Sequence, residues 1–284
     1  MDSLTQVVLG AAVGEAVLGK KVGNRAMLWG AIAGTIPDLD VAARFLTDTI
    51  TATEMHRGFS HSILFSVIMA PILGWLVHQI KKRDDVGRQG WAKLFFCGLF
   101  THPLLDAFTT WGTQLFWPFD WRLAFNNIFV IDPLYTLPFL ICLIIAAFMK
   151  KGTLSRKRIN NLGIYLSTGY LVVTLFLKWA AHTKITEALE EQQITYSKVS
   201  TRPAPMNTIL WNANVDAGDH YLIGDYSFFD SKPVSFTAYS KKREISKELA
   251  SRDEVQRLIN ISEGWYILEP VSYTHLTLPT ICSV

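Results

Sequence analysis

The sequence predicts a mainly α protein: a polytopic helical membrane domain followed by a small C-terminal α+β domain outside the membrane. Three observations carry this. Of 284 residues, 50% are hydrophobic and only 18% charged, with a mean hydropathy of +0.22, the profile of an integral membrane protein with a modest soluble part. Apolar runs at 62–80, 91–109, 128–149 and 163–181 are each long enough to cross a hydrocarbon core of roughly 30 Å as helices. Beyond about residue 181 the pattern changes to short alternating stretches separated by turn residues, which reads as strands.

Two shorter apolar stretches, 4–18 and 26–36, precede the four long ones. Gly10, Gly14, Gly30 and Gly34 weaken isolated helices but permit close packing, so these stretches read either as short spans or as a re-entrant hairpin. The first stretch is expected to stay in the mature chain, because its lysines, Lys20 and Lys21, follow the apolar run instead of preceding it. Glu15 stands inside this run with no partner visible in the sequence.

Basic residues flank the runs at Lys20, Lys21 and Arg25, at Lys81, Lys82, Arg83 and Arg88, and at Lys150, Lys151, Arg156, Lys157 and Arg158. Lys and Arg near span ends stay cytoplasmic, so all three groups are expected inside. The connections 37–61 and 117–127, and the chain after about 181, are then outside. A net charge of +3 and a pI near 8.7 are accounted for by these loops, and no nucleic-acid partner is expected. Trp111, Trp117, Trp121 and Trp179 read as an interfacial belt. Cys97 and Cys142 lie within apolar runs and Cys282 in the tail, which supports no disulfide framework and no cysteine metal site.

The chain divides into 1–181, the membrane domain, and 182–270, the extracytoplasmic domain. In the latter, 208–213 and 220–228 read as a hairpin around Asp216-Ala217-Gly218-Asp219, 234–239 and 265–268 as further strands, and 245–259 as an amphipathic helix. Residues 271–284 resemble the conceptual translation of a sequencing-library adapter and are expected to be read-through, so His275 is assigned to no site.

Polar clusters punctuate the apolar runs: Pro37-Asp38-Leu39-Asp40, His56-Arg57-Gly58-Phe59-Ser60-His61-Ser62, and His102-Pro103-Leu104-Leu105-Asp106. Ionisable groups beside lipid are costly and mark function by default. His102 and Asp106 are spaced i, i+4 and share one helix face. The pair could grip a metal, the carboxylate could orient the imidazole, or the two could form a buried packing hydrogen bond. His56 and His61 are too far round a helix to share a face, so His56 is expected before the span, with Ser60 or Ser62 as its cap. Arg57 suits a phosphate or carboxylate, or a lipid headgroup. Asp38 and Asp40 repel unless a cation lies between them, so one could ligate a metal while the other acts as a base. A solvated turn is their bland reading. All six ligand candidates, Asp38, Asp40, His56, His61, His102 and Asp106, fall on one side of the membrane in the loop-based topology. That mixed nitrogen and oxygen set favours Zn first, then Mn or Fe, over Mg or Ca. His78, His182 and His220 read as ordinary polar residues.

With the aromatic turn Trp111-Gly112-Thr113 through Leu115-Phe116-Trp117-Pro118, these motifs resemble the bacterial inner-membrane metal-dependent hydrolase family over residues 1–180. Its members include LexA-binding inner-membrane-associated hydrolases. The resemblance implies a helical metal site distantly similar to zinc-dependent phospholipase C and the P1-type nuclease, formed by the same six residues. The chain departs from it at Gln6, where many relatives carry a histidine near the N-terminus; an amide is a poor zinc ligand.

The expected function is a membrane-embedded, metal-dependent hydrolase of a phosphoester or lipid-linked substrate at the outer face. Asp38 or Asp40 would be the general base and Arg57 an anion clamp. The alternatives are a metal-binding structural or regulatory membrane protein, and an ion transporter. The last is disfavoured because Asp132 and Lys178 stand near the outer ends of their spans, leaving no charged relay at mid-membrane.

Overall fold

The computed structural model describes residues 1–81, 85–243, 252–272 and 275–277. Helix α1 (Ser3–Val22) begins on Asp2, whose carboxylate accepts from Thr5 N at 3.0 Å and so satisfies one free amide of the first turn. Gly23, at φ +63°, reverses the chain into α2 (Asn24–Thr35). The two helices cross at backbone contact: a Cβ on Gly10 would meet Gly30 O at 2.3 Å, and one on Gly14 would meet Ala26 O at 2.1 Å. The glycines that disfavour an isolated helix are what permit this antiparallel hairpin.

A 3-10 segment (Pro37–Phe45) and the short α3 (Thr49–Met55) form a strap that returns the chain to a 3-10 turn (Phe59–His61). Ser62 then caps α4 (Ile63–Ile80), accepting from Phe65 N at 3.0 Å. Of α4 only Ser66, Ala70, Gly74 and Val77 are buried, while Val67, Ile68, Ile72, Trp75 and Ile80 are exposed. Small residues inside and large apolar ones outside is the arrangement of a helix whose surroundings are lipid. α4 packs on α5 (Gly87–Asp106) around Trp91, Leu94, Phe95 and Leu99.

The run expected at 128–149 becomes α6 (Pro133–Phe148), which starts late because the Asp132 carboxylate accepts from Leu134 N and Tyr135 N and sets the cap there. The run at 163–181 lies inside the much longer α7 (Leu154–Glu191). Among the described residues two helices, α4 and α7, are long and apolar enough to cross a membrane, and α6 is a shorter apolar helix. The basic loops gather at one end of the bundle: Lys21 donates to Asp85 O and Asn24 to Ala147 O. Glu15 finds its partner there, a two-pronged ion pair with Arg156 at 2.6 Å per prong, both side chains buried.

Beyond α7 an antiparallel sheet forms in the order β1 (Lys198–Pro203), β2 (Leu210–Ala217), β3 (His220–Ser227), β4 (Phe236–Ser240). Its β2–β3 turn has Gly218 at φ +80°, a conformation glycine adopts without a Cβ clash. Ala213 and Val215 pack on Ile185 and Leu189 of α7, so the helix carries the sheet directly. One expectation is corrected. Residues 265–268 are not a strand; they are apolar because Trp265 packs on Tyr221. The amphipathic helix is α8 (Asp253–Ile261), and the earlier part of its expected range, 245–251, lies outside the described residues. β5 (Glu269–Ser272) pairs with β6 (His275–Thr277), and the rest of the 271–284 expectation, 273–274 and 278–284, lies outside them as well.

Candidate metal centre

At the end of the bundle opposite the basic loops, Asp38, His61, His102 and Asp106 converge, with one donor atom from each within 4.8 Å of all the others. Each arrives from a different local device. Pro37 ends α2 and turns Asp38 inward; the 3-10 turn ahead of the Ser62 cap aims His61; His102 and Asp106 occupy successive turns at the end of α5. His61, His102 and Asp106 are fully buried, whereas the Asp38 side chain is 24% exposed.

Five of the six separations within the group fall in a narrow range, and all lie within 4.8 Å. Nε2 of His61 lies 3.4 Å from Asp38 Oδ1 and 3.4 Å from Asp106 Oδ2. Nε2 of His102 lies 3.3 Å from each of those oxygens. The two nitrogens are 3.1 Å apart. A tetrahedron's edge is about 1.63 times its centre-to-vertex distance, so ligands about 2.0–2.1 Å from Zn stand about 3.3–3.4 Å from each other.

The hydrogen bonds around the group fix what it presents. Nδ1 of His102 donates to Gly34 O at 2.6 Å, and Nδ1 of His61 faces Asp40 Oδ2 at 3.2 Å and Ser60 Oγ at 3.0 Å. With both Nδ1 atoms committed to oxygen acceptors, both Nε2 atoms offer lone pairs to the centre. Asp106 Oδ1 is engaged by Gln6 Nε2 at 3.2 Å and by the Met1 amino group, while its Oδ2 is buried without a hydrogen bond. Four acceptors therefore face one point, which is unfavourable unless a cation or extra protons lie between them. The residues fit a divalent transition ion.

The electrostatics outside the spans agree. Burial alone would raise Asp38, but the imidazoles of His102 and His61 beside it outweigh this and hold it well below the usual carboxylate range. Asp40 is held low in the same way by His56 and His61. Burial would lower His61, yet the carboxylates of Asp106, Asp38 and Asp40 beside it push it up to about 10. The site thus draws positive charge to itself.

The other expected residues stand around the group, outside the four-atom set. Asp40 is an organiser: it faces His56 Nδ1 at 2.8 Å and His61 Nδ1, and accepts from Arg57 N at 3.0 Å and Ser60 Oγ at 2.8 Å. His56, 29% exposed, borders the group with its ring 5.9 Å from that of His61. Arg57 is turned inward, its Nε 3.5 Å from Asp106 Oδ2 and its Nη1 donating to Thr109 Oγ1 and Gly112 O. Sequence reasoning saw Gln6 only as a departure and missed Gly34, whose contribution is a carbonyl that no residue type announces.

A helical bundle with two helices long and apolar enough to cross a membrane carries, at one end, two histidines and two aspartates spaced so that they could hold a metal ion. Residues 1–184 match the family described as YdjM inner membrane protein, and the chain belongs to that family, which places it at the inner membrane. No curated protein and no solved structure matches it.

Proposed function

We propose that the chain is a multi-pass inner-membrane hydrolase that acts on a phosphoester or lipid-linked bond at the outer face, using an ion held by Asp38, His61, His102 and Asp106. The observation that carries this reading is the set of four convergent acceptors with both imidazole tautomers fixed from behind. A divalent ion there would supply Lewis-acid polarisation and a water of lowered pKa. The protein's own groups do the rest. Asp38 is the exposed edge of the group and marks the side from which a substrate approaches. His56, held by Asp40 at Nδ1, makes no hydrogen bond at Nε2 among the described residues and is placed to exchange a proton there. Arg57 neutralises Asp106 and keeps it from repelling an anionic substrate.

The gathering of the basic loops at the opposite end supports the loop-based topology, with 1–181 as the membrane domain and 182–270 outside. A cysteine placed at Asp225 would then react with a membrane-impermeant maleimide in intact spheroplasts; labelling only after lysis would reverse the orientation.

One observation favours a second reading. Four protein donors converging on one point resemble a closed structural site, although such sites are built mainly from cysteine and histidine and catalytic ones include carboxylates. The test is metal content, with turnover of phosphodiester and lipid-phosphate substrates, for wild type, His56→Ala and His61→Ala. Metal retained and turnover lost in His56→Ala supports the hydrolase. Stoichiometric metal with no turnover by wild type on any substrate supports the structural reading.

A further inference from the structure

The strap between the two halves of the metal cluster is held from outside the membrane domain. Residues 37–45 bring Asp38 and Asp40 to the site, residues 56–61 bring His56 and His61, and α3 lies between them. None of α3's residues is buried. A seven-residue helix has too few internal hydrogen bonds to persist alone and needs tertiary anchors.

Its base is pinned by Asp40, which ties His56 Nδ1 and Arg57 N back to the 3-10 segment. Its helical part is pinned by α8. Arg257 Nε donates to Glu54 Oε1 at 3.0 Å, and its Nη2 donates to Glu54 Oε2 at 2.6 Å and to Thr51 Oγ1 at 2.7 Å. Thr51 is itself bound to Asp48, the N-cap of α3. Exposed ion pairs contribute little in general, but a two-pronged Arg–carboxylate pair with a third hydrogen bond is the geometry in which they count.

We infer that Arg257 is a positioning residue for the metal centre: α8 of the C-terminal domain holds α3, and through it fixes where Asp38, Asp40, His56 and His61 stand. The ion-holding part of this inference rests on the function proposed above; the clamp itself does not. Arg257 lies beyond the residues matched to the family, 1–184, so the clamp is a contribution of the C-terminal domain to a site whose ligands all belong to the membrane domain.

The test uses the full chain in detergent, wild type beside Arg257→Ala, Glu54→Ala, the double variant, and the exchanged pair Glu54→Arg/Arg257→Glu. Two quantities are read: amide hydrogen exchange of peptides covering 46–58, and the rate at which a chromogenic chelator withdraws Zn. In Arg257→Ala both should rise about threefold to tenfold, the range open to a partly exposed but well-formed pair. The double variant should be no worse than Arg257→Ala alone, and the exchanged pair should recover part of the loss. Exchange over 46–58 unchanged in Arg257→Ala, or single effects that simply add, overturns the inference. If wild type holds no Zn, the metal reading fails, and the exchange data still decide the clamp.

Discussion

The Nε2 atoms of His61 and His102 stand 3.1 Å apart while each ring's Nδ1 is turned onto an oxygen acceptor. Two lone pairs so placed need a positive charge between them. Purified protein should therefore carry about one transition ion per chain, and His102→Ala or Asp106→Ala should lose it, because removing a donor opens a four-ligand shell. Elemental analysis of the three proteins checks this. A folded wild type free of metal after purification without chelator would end the metal reading.

Asp40 should matter to metal retention without being a donor. Asp40→Asn keeps the shape but removes the charge that orients His61, and partners of this kind are worth about 10–100-fold in metal affinity. Competition titration with a calibrated chelator gives the number. A loss as complete as that in His61→Ala would instead make Asp40 a ligand.

The pH dependence of stability should separate metal-stripped from loaded protein. His61 sits before α4 and its folded pKa, about 10, is raised above the ordinary 6.5. Its protonation therefore contributes stability that is complete below about 6.5 and lost as pH rises through about 10. Stripped protein should lose thermal stability between these limits, whereas the loaded protein should not, because the ion stands where the proton would be. Parallel profiles with and without chelator would contradict this.

The helix crossing at Gly30 should be coupled to the site. A Cβ on Gly30 would meet Gly10 O at 2.2 Å, and the same interface carries Gly34, whose carbonyl orients His102. Gly30→Ala should cost about 1–3 kcal/mol as overpacking and should also release metal faster. Measuring thermal unfolding and chelator-driven release on one sample tests both; destabilisation with unaltered release would uncouple crossing from site.

Glu15 and Arg156 form a fully paired buried contact at the opposite end. Glu15→Gln leaves the guanidinium uncompensated and should cost about 3–5 kcal/mol, while replacing both partners with leucine and methionine should cost far less. Unfolding temperatures in detergent rank the three proteins. Equal losses would show that the pair's packing volume matters more than its charge.

Much of the site was legible because its residues are of a type that lipid surroundings make expensive: Asp38, His61, His102 and Asp106 all stood out on chemistry and spacing alone. What spacing could not do was sort donors from organisers. Asp40 differs from Asp38 by two positions in sequence, yet the 3-10 segment points one at the group and the other behind His61. Glu15 was unreadable because its partner is 141 positions away. β1 escaped notice because Lys198, Arg202 and Pro203 give an edge strand a polar, proline-marked face that does not look like a strand. The 265–268 stretch failed in the reverse sense: it is apolar for packing, and apolar character alone does not distinguish a strand from a buried loop.

α7 runs unbroken for 38 residues, about 57 Å at 1.5 Å per residue, nearly twice the thickness of a hydrocarbon core. A rod of that kind fixes angle as well as height, since each residue added or removed turns everything beyond it by about 100°. The sheet rests on the far end of this rod at Ile185 and Leu189, and α8 reaches back from that domain to Glu54. Whether Arg257 arrives in front of Glu54 or on the far side of the bundle is thus a question of helical phase. One residue deleted from the middle of α7 would swing the clamp out of register by about 100°, whereas a deletion of about seven residues, close to two whole turns, would leave it on nearly the same bearing.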